Sequence, residues 1–293
     1  PSPATDASYG TIHYVGPTTD DLQREEKVIE LLKDRFFEWQ AKGYLPSARI
    51  EDGYNTTQPI RERGWQYWHQ LFNPRQLLVC GLFAYELNKL SENIQQQVFG
   101  VLGLNKAFYY ASKICLWDSG GDKGQQTFYN QALNTLYNFA CRGLPAFYNN
   151  WVIDINPNPF IPNSQIFALD ARGNKSKCDF WITDPPYADA VNYHELSEFF
   201  LAWDEQFIKS IFSEWYADSK RVLAVKGTGE TFNHSMVEIY RNLANHMPDN
   251  GMQIVMFTHQ DPSVWADLTL ILWSAGLHVT AAWNIATETE SGG

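Results

Sequence analysis

The tightest constraint on the fold of this chain is a change in hydrophobic period near residue 145. Before it, apolar residues recur at helical spacing, as with Val28, Leu31, Leu32, Phe36 and Trp39 between charged neighbours. Similar patterns cover roughly residues 65–90, 92–116 and 125–141. Beyond Pro145 the pattern shortens to apolar runs of strand length: QIFALD (165–170), CDFWIT (178–183), MQIVMFTH (252–259) and LHVTAAWNI (277–285). Helical stretches separate them. Runs apolar on both faces and alternating with helices are the mark of parallel strands covered on both sides. The expected class is therefore α/β, with a mainly helical region at 1–145 and a sheet-bearing region at 146–293.

Local punctuation sharpens the helix boundaries. Asn73 followed by Pro74 suits a helix start with proline in the first turn, and Asp261 with Pro262 repeats the pattern. Ser235 with Glu238 reads as a capping box opening another helix, which Pro248 and Gly251 end. Gly276 is placed to close the helix that Asp261 opens. After CDFWIT, a helix carries Leu196, Phe199, Phe200, Trp203 and Phe207 on one face. Residues 1–19, rich in Pro, Ser, Thr and Gly, read as an irregular lead-in.

Composition removes several function classes. With 33 acidic against 22 basic residues, a net charge of −11 argues against a broad surface for gripping duplex phosphates. Cys80, Cys115, Cys141 and Cys178 are widely spaced, so neither a zinc ribbon nor a disulfide scaffold is expected, and they read as buried thiols. No metal site is expected. No run approaches the length of a membrane span and no leader pattern opens the chain, which gives the expectation of a cytoplasmic protein without membrane contact. A first residue Pro1 and an end at ETESGG, just after a strand-like run, suggest a piece of a longer protein.

The stretch DPPY (184–187) directly follows the strand-like run CDFWIT. In open α/β sheets, ligands gather at the carboxyl ends of strands. Two prolines fix two φ angles, and Pro185 also restricts Asp184, so carboxylate and carbonyl groups are held in place before anything binds. An exocyclic amino group becomes a nucleophile only when both its hydrogens find acceptors. The Asp184 carboxylate and the Pro185 carbonyl meet that need, while Tyr187 offers a face on which a flat base stacks, worth about 1–3 kcal/mol. A base inside a duplex reaches such a corner only by being flipped out. The bland alternative is a stiff turn leaving a strand.

TDPPY after an apolar strand resembles the motif of amino-group DNA methyltransferases. Longer stretches extend the likeness: ITDPPYADAVNYHELSEFFLAW, FNPRQLL, CLWDSGGDKGQQTFYNQAL, and the segment from MQIVMFTHQDPSVW to the end. Together they resemble the DUF1156-type adenine-specific DNA methylases over most of the chain from about Gly64. The resemblance implies a Rossmann-like methyltransferase sheet and S-adenosylmethionine as methyl donor. It also implies double-stranded DNA as partner, with transfer to the amino nitrogen of a flipped base, N6 of adenine above all. Asp184, Pro185, Pro186 and Tyr187 would be catalytic. Asp170, Arg75 and Thr183 are candidates for cofactor contact, and Asn192, Tyr193, His194 and His259 for substrate contact. A restriction-modification or phage-defence setting follows from the same likeness.

One family element is missing. The glycine-rich loop that lets a backbone approach the cofactor is not found; VLAVKGTGET (222–231) has Lys226 where an acid or aromatic is expected. The sheet is thus expected to be incomplete, with a partner chain or a missing N-terminal segment supplying that loop. The alternatives are a non-catalytic nucleic-acid-associated subunit that retains the fold, or a methyltransferase for an RNA base or a glutamine amide. WDSGGDKG (117–124) lacks the context of a protease nucleophile loop, and HELSE (194–198) lacks the second histidine of a zincin.

Overall fold

The computed structural model describes residues 15–118, 123–128, 164–186, 192–215, 218, 222–225 and 229–285. The fold is mixed α/β. Among the described residues, four helices occupy the first part: α1 (Thr19–Ala41), α2 (Thr57–Arg63), α3 (Pro74–Leu90) and α4 (Ile94–Tyr109). A two-residue hairpin follows, β1 (Trp117–Asp118) with β2 (Lys123–Gly124). Strand β3 (Phe180–Thr183) leads to α5 (Tyr193–Ile211) and α6 (Glu230–Asn245), then to β4 (Met252–Val255) and α7 (Pro262–Ser274).

The helix starts are chemically explicit. Thr18 and Asp21 exchange bonds at the head of α1, with Asp21 N donating to Thr18 Oγ1 at 3.3 Å and Thr18 N to Asp21 Oδ2 at 2.9 Å. Asn73 does the same for α3 with Gln76, at 2.7 and 2.9 Å, ahead of Pro74. Asp261 accepts from Ser263 N at 2.8 Å ahead of Pro262 in α7. The starts at Asn73 and Asp261 agree with the sequence reading, whereas the box at Thr18 falls at the end of a stretch read as irregular. The start of α6 also departs from that reading. It opens at Glu230 after Gly229, whose φ of 60° suits glycine, and Ser235 lies one turn inside, its hydroxyl donating to Thr231 O at 3.0 Å.

Two apolar cores form. The first joins α1, α3 and α4 to α5, with Trp68, Phe108, Phe199 and Trp203 at its centre; Phe108 and Trp203 stack at 4.0 Å. The α5 face foreseen in the sequence therefore packs into the helical region. The second core holds Phe232, Met236, Tyr240 and Leu243 of α6 against Leu268, Ile271 and Leu272 of α7, with Trp181, Val255 and Phe257 from the sheet side packed on it.

Strands β3 and β4 pair in parallel, Phe180 opposite Met252 through Thr183 opposite Val255. Only one face of the pair is covered. Phe180 and Ile182 are 63% and 66% exposed, and Met252, Ile254 and Met256 lie open beside them. QIFALD and LHVTAAWNI, expected as strands, are not strands here: residues 164–169 and 277–285 pair with neither β3 nor β4. A strand needs a neighbour for its backbone groups, and among the described residues no strand pairs with these runs. Of the thiols described, Cys80 and Cys115 are buried and Cys178 is half-buried; Cys141 lies outside the described residues. No described helix is long and apolar enough to cross a membrane.

Candidate functional site

Asp184 and the two prolines leave the carboxyl end of β3 beside the carboxyl end of β4. Ladder bonding holds the exit: Met256 N donates to Thr183 O at 2.8 Å, one step beyond β4. Thr183 Oγ1 lies 3.3 Å from the hydroxyl of Tyr240, a residue of α6 only 1% exposed. Burial pushes the Tyr240 phenol up, and the nearby Asp184 carboxylate adds to this, while the Thr183 bond works against it. The backbone is thus fixed immediately before Asp184. Pro185 is buried, whereas Asp184 and Pro186 face solvent.

A shallow hollow opens at this corner, whose enclosed part, about 20 Å³, has room for about one water molecule and whose remainder is open solvent. Pro185 and Pro186 form one wall, Phe232 and Met236 of α6 another, and Phe257 with Leu268 a third. Two polar side chains, Asn233 and Asp267, also line it. The hollow has an apolar floor, two polar groups and the proline corner at its edge, and it is far smaller than the pockets that enclose small ligands. Nothing in the sequence pattern marked Asn233 or Asp267, because only the packing of α6 against α7 brings them to one place.

The remaining sequence candidates fall in different surroundings. Asp170 caps a short turn and is gripped by Arg172, whose Nε stands 3.0 Å from both carboxylate oxygens and whose Nη2 is 2.6 Å from Oδ2. That guanidinium holds the Asp170 carboxyl below its ordinary value. Arg75 pairs with Glu25 at 2.8 Å, bridging α3 to α1. Asn192 stands at the head of α5, where its carbonyl accepts from Glu195 N and Leu196 N. Tyr193 is exposed, and His194 Nε2 is 3.9 Å from Glu195 Oε1. His259 follows β4; its Nδ1 accepts from Asp261 N at 2.9 Å and its carbonyl from Trp265 Nε1 at 2.9 Å, so it braces the head of α7. Tyr187 lies outside the described residues, as do Lys226 and Gly227.

The structure therefore brings together the Asp184 corner, Thr183 and the hollow. Asp170 and Arg75 are each engaged in an ion pair, with Arg172 and Glu25 respectively. Among the described residues there is also no group of three or more side chains able to hold a metal. Comparison with protein-family models, curated proteins and solved structures found no match.

Proposed function

We propose that this chain carries the amine-orienting half of a DNA methyltransferase acting on the exocyclic amino group of a flipped base, N6 of adenine first. The observation that carries the reading is the position of Asp184-Pro185-Pro186: Asp184 and Pro186 are open to solvent on either side of a buried Pro185, at the carboxyl end of a parallel strand and beside a hollow. A carboxylate and a proline carbonyl fixed at one corner accept the two amine hydrogens and turn the nitrogen lone pair outward. This works by placement rather than by a strong base.

In this reading the sheet belongs to a Rossmann-like methyltransferase fold, and S-adenosylmethionine supplies the methyl group when bound. Because the sequence lacks the family's glycine-rich loop, in this reading the cofactor half comes from a companion segment or a partner chain. Support comes from the uncovered face of β3 and β4, since a parallel sheet is stable when both faces are buried. The engaged states of Asp170 and Arg75 favour a second reading, a non-catalytic subunit that retained the fold and lost the cofactor.

Two measurements separate the readings. Titration with S-adenosylmethionine releases heat if the cofactor half is present and none for the non-catalytic subunit. With the intact enzyme, Asp184→Ala abolishes transfer of a labelled methyl group to DNA while leaving cofactor affinity within about twofold, because the carboxylate acts on the amine alone. Undiminished methylation by that variant rules out the proposed chemistry.

A further inference from the structure

Asp204 belongs to α5 and lies inside the first core, the residue being 8% exposed. Its neighbour Trp203 stacks on Phe108 of α4 and meets Phe72 edge-on, so the seam between α4 and α5 is lined with apolar rings at this level. A carboxylate in such a place needs a cation or several donors. Its hydrogen bond comes from α4: Asn105 Nδ2 donates to Oδ2 at 2.6 Å.

The other end of the same amide is unmet. Asn105 Oδ1 is buried and has no donor. Exchanging the two ends of the amide does not help, since it moves the orphan from oxygen to nitrogen and sets two acceptor oxygens against each other. A proton on Asp204 removes the conflict. A carboxylic acid and a primary amide are complementary: the amide N–H donates to one acid oxygen while the acid O–H donates to the amide oxygen. Among the described residues, the charged and titratable groups of the surrounding elements have no part in shifting Asp204: Lys106 and Tyr109 on α4, Glu198, Glu205 and Lys209 on α5, His69 ahead of α3 and Lys42 after α1. Glu205 and Lys209 pair with each other, as do Glu38 and Lys42. Burial raises the Asp204 carboxyl to about 7, and the Asn105 bond works against this.

We infer that Asp204 and Asn105 form a proton-operated latch across the α4–α5 seam, closed by two reciprocal hydrogen bonds while Asp204 holds its proton and loosened when that proton leaves to solvent. Without the proton, a buried carboxylate is left with one donor and the Asn105 oxygen with none. Water must then reach both groups, and its entry parts the helices. The inference stands on the geometry of this seam and is independent of the methyl-transfer reading.

The test follows the two side chains directly in the wild-type chain, by carbon NMR of labelled aspartate and asparagine from about pH 4 to about pH 9. The Asp204 carboxyl carbon should titrate with a midpoint of about 7, and the Asn105 side-chain carbonyl carbon should shift with the same midpoint. Amide exchange supplies a second readout at Phe108 and Phe207, which lie within α4 and α5. Corrected for the intrinsic rate, it should be about tenfold or more faster at about pH 8 than at about pH 5. Asp204→Asn puts a second amide in place of the acid, able to exchange two bonds with Asn105 at any pH, so its corrected exchange should change by less than about twofold. An Asp204 carboxyl that titrates below about pH 5, an Asn105 carbonyl that does not follow it, or exchange that rises equally in wild type and Asp204→Asn overturns the inference. If Asp204→Asn does not fold, the two wild-type carbon titrations decide it.

Discussion

The helical region and the sheet region bury their apolar residues to different degrees. Around Trp68, Phe108, Phe199 and Trp203 the apolar side chains close on one another from four helices, whereas β3 and β4 present Phe180, Ile182, Met252, Ile254 and Met256 to water. The reason lies in the backbone. A helix satisfies its own amides and needs a partner along one stripe only, so four helices complete a core between them. A parallel strand needs neighbours at its edges and layers on both faces, and here, among the described residues, one face has α6 and α7 while the other has no covering element. Completeness is thus a property of each region separately, and the candidate corner sits in the less complete one.

This contrast is open to direct attack, beginning where the effect is greatest. Trp203→Ala removes a side chain 2% exposed from the closed core and should cost about 3–5 kcal/mol, read as a lowered midpoint in urea unfolding. A loss under about 1 kcal/mol would show that core to be looser than its geometry implies.

Next in size is a dependence on pH inside the same core. Asp204, held by Asn105 Nδ2 at 2.6 Å, has its carboxyl pushed up to about 7 by burial. A folded value above the ordinary carboxylate value means that the native state binds the proton more tightly than the unfolded chain. Stability is therefore greatest below about pH 4, declines as pH rises to about 7, and levels off above it. The span is on the order of 4 kcal/mol, and Asp204→Asn should flatten most of it in unfolding curves taken across that range.

The smallest effect is expected on the open sheet face. Ile182→Thr exchanges an exposed apolar group for a β-branched polar one and should change stability by less than about 0.5 kcal/mol. The equivalent loss on the covered face, Trp181→Ala, should cost several times as much, because Trp181 packs on the second core. Equal costs for the two would erase the distinction between the faces.

Much of this protein is visible in its residue order. Asn73-Pro74, Asp261-Pro262 and Gly276 mark helix ends because capping is settled within a few residues. The strand before Asp184 and the rigid corner after it are equally local. Ser235 with Glu238 misled, since the same residue types serve inside a helix, where the hydroxyl bonds back to Thr231. QIFALD and LHVTAAWNI have strand composition yet remain unpaired, because composition states what a strand tolerates and not whether a neighbour is present.

The sequence by itself determined most of the long helices, the caps at Asn73 and Asp261 and the stiff Asp-Pro-Pro exit, all of which depend on hydrogen bonds and torsions between near neighbours. Only the tertiary structure decided that Asn233 and Asp267 share a hollow with that exit, that Tyr240 reaches Thr183, and that Glu195 meets the amides of Tyr54 and Asn55. Those contacts join residues tens to more than a hundred positions apart, and such partners are chosen by how whole elements pack rather than by any pattern along the chain.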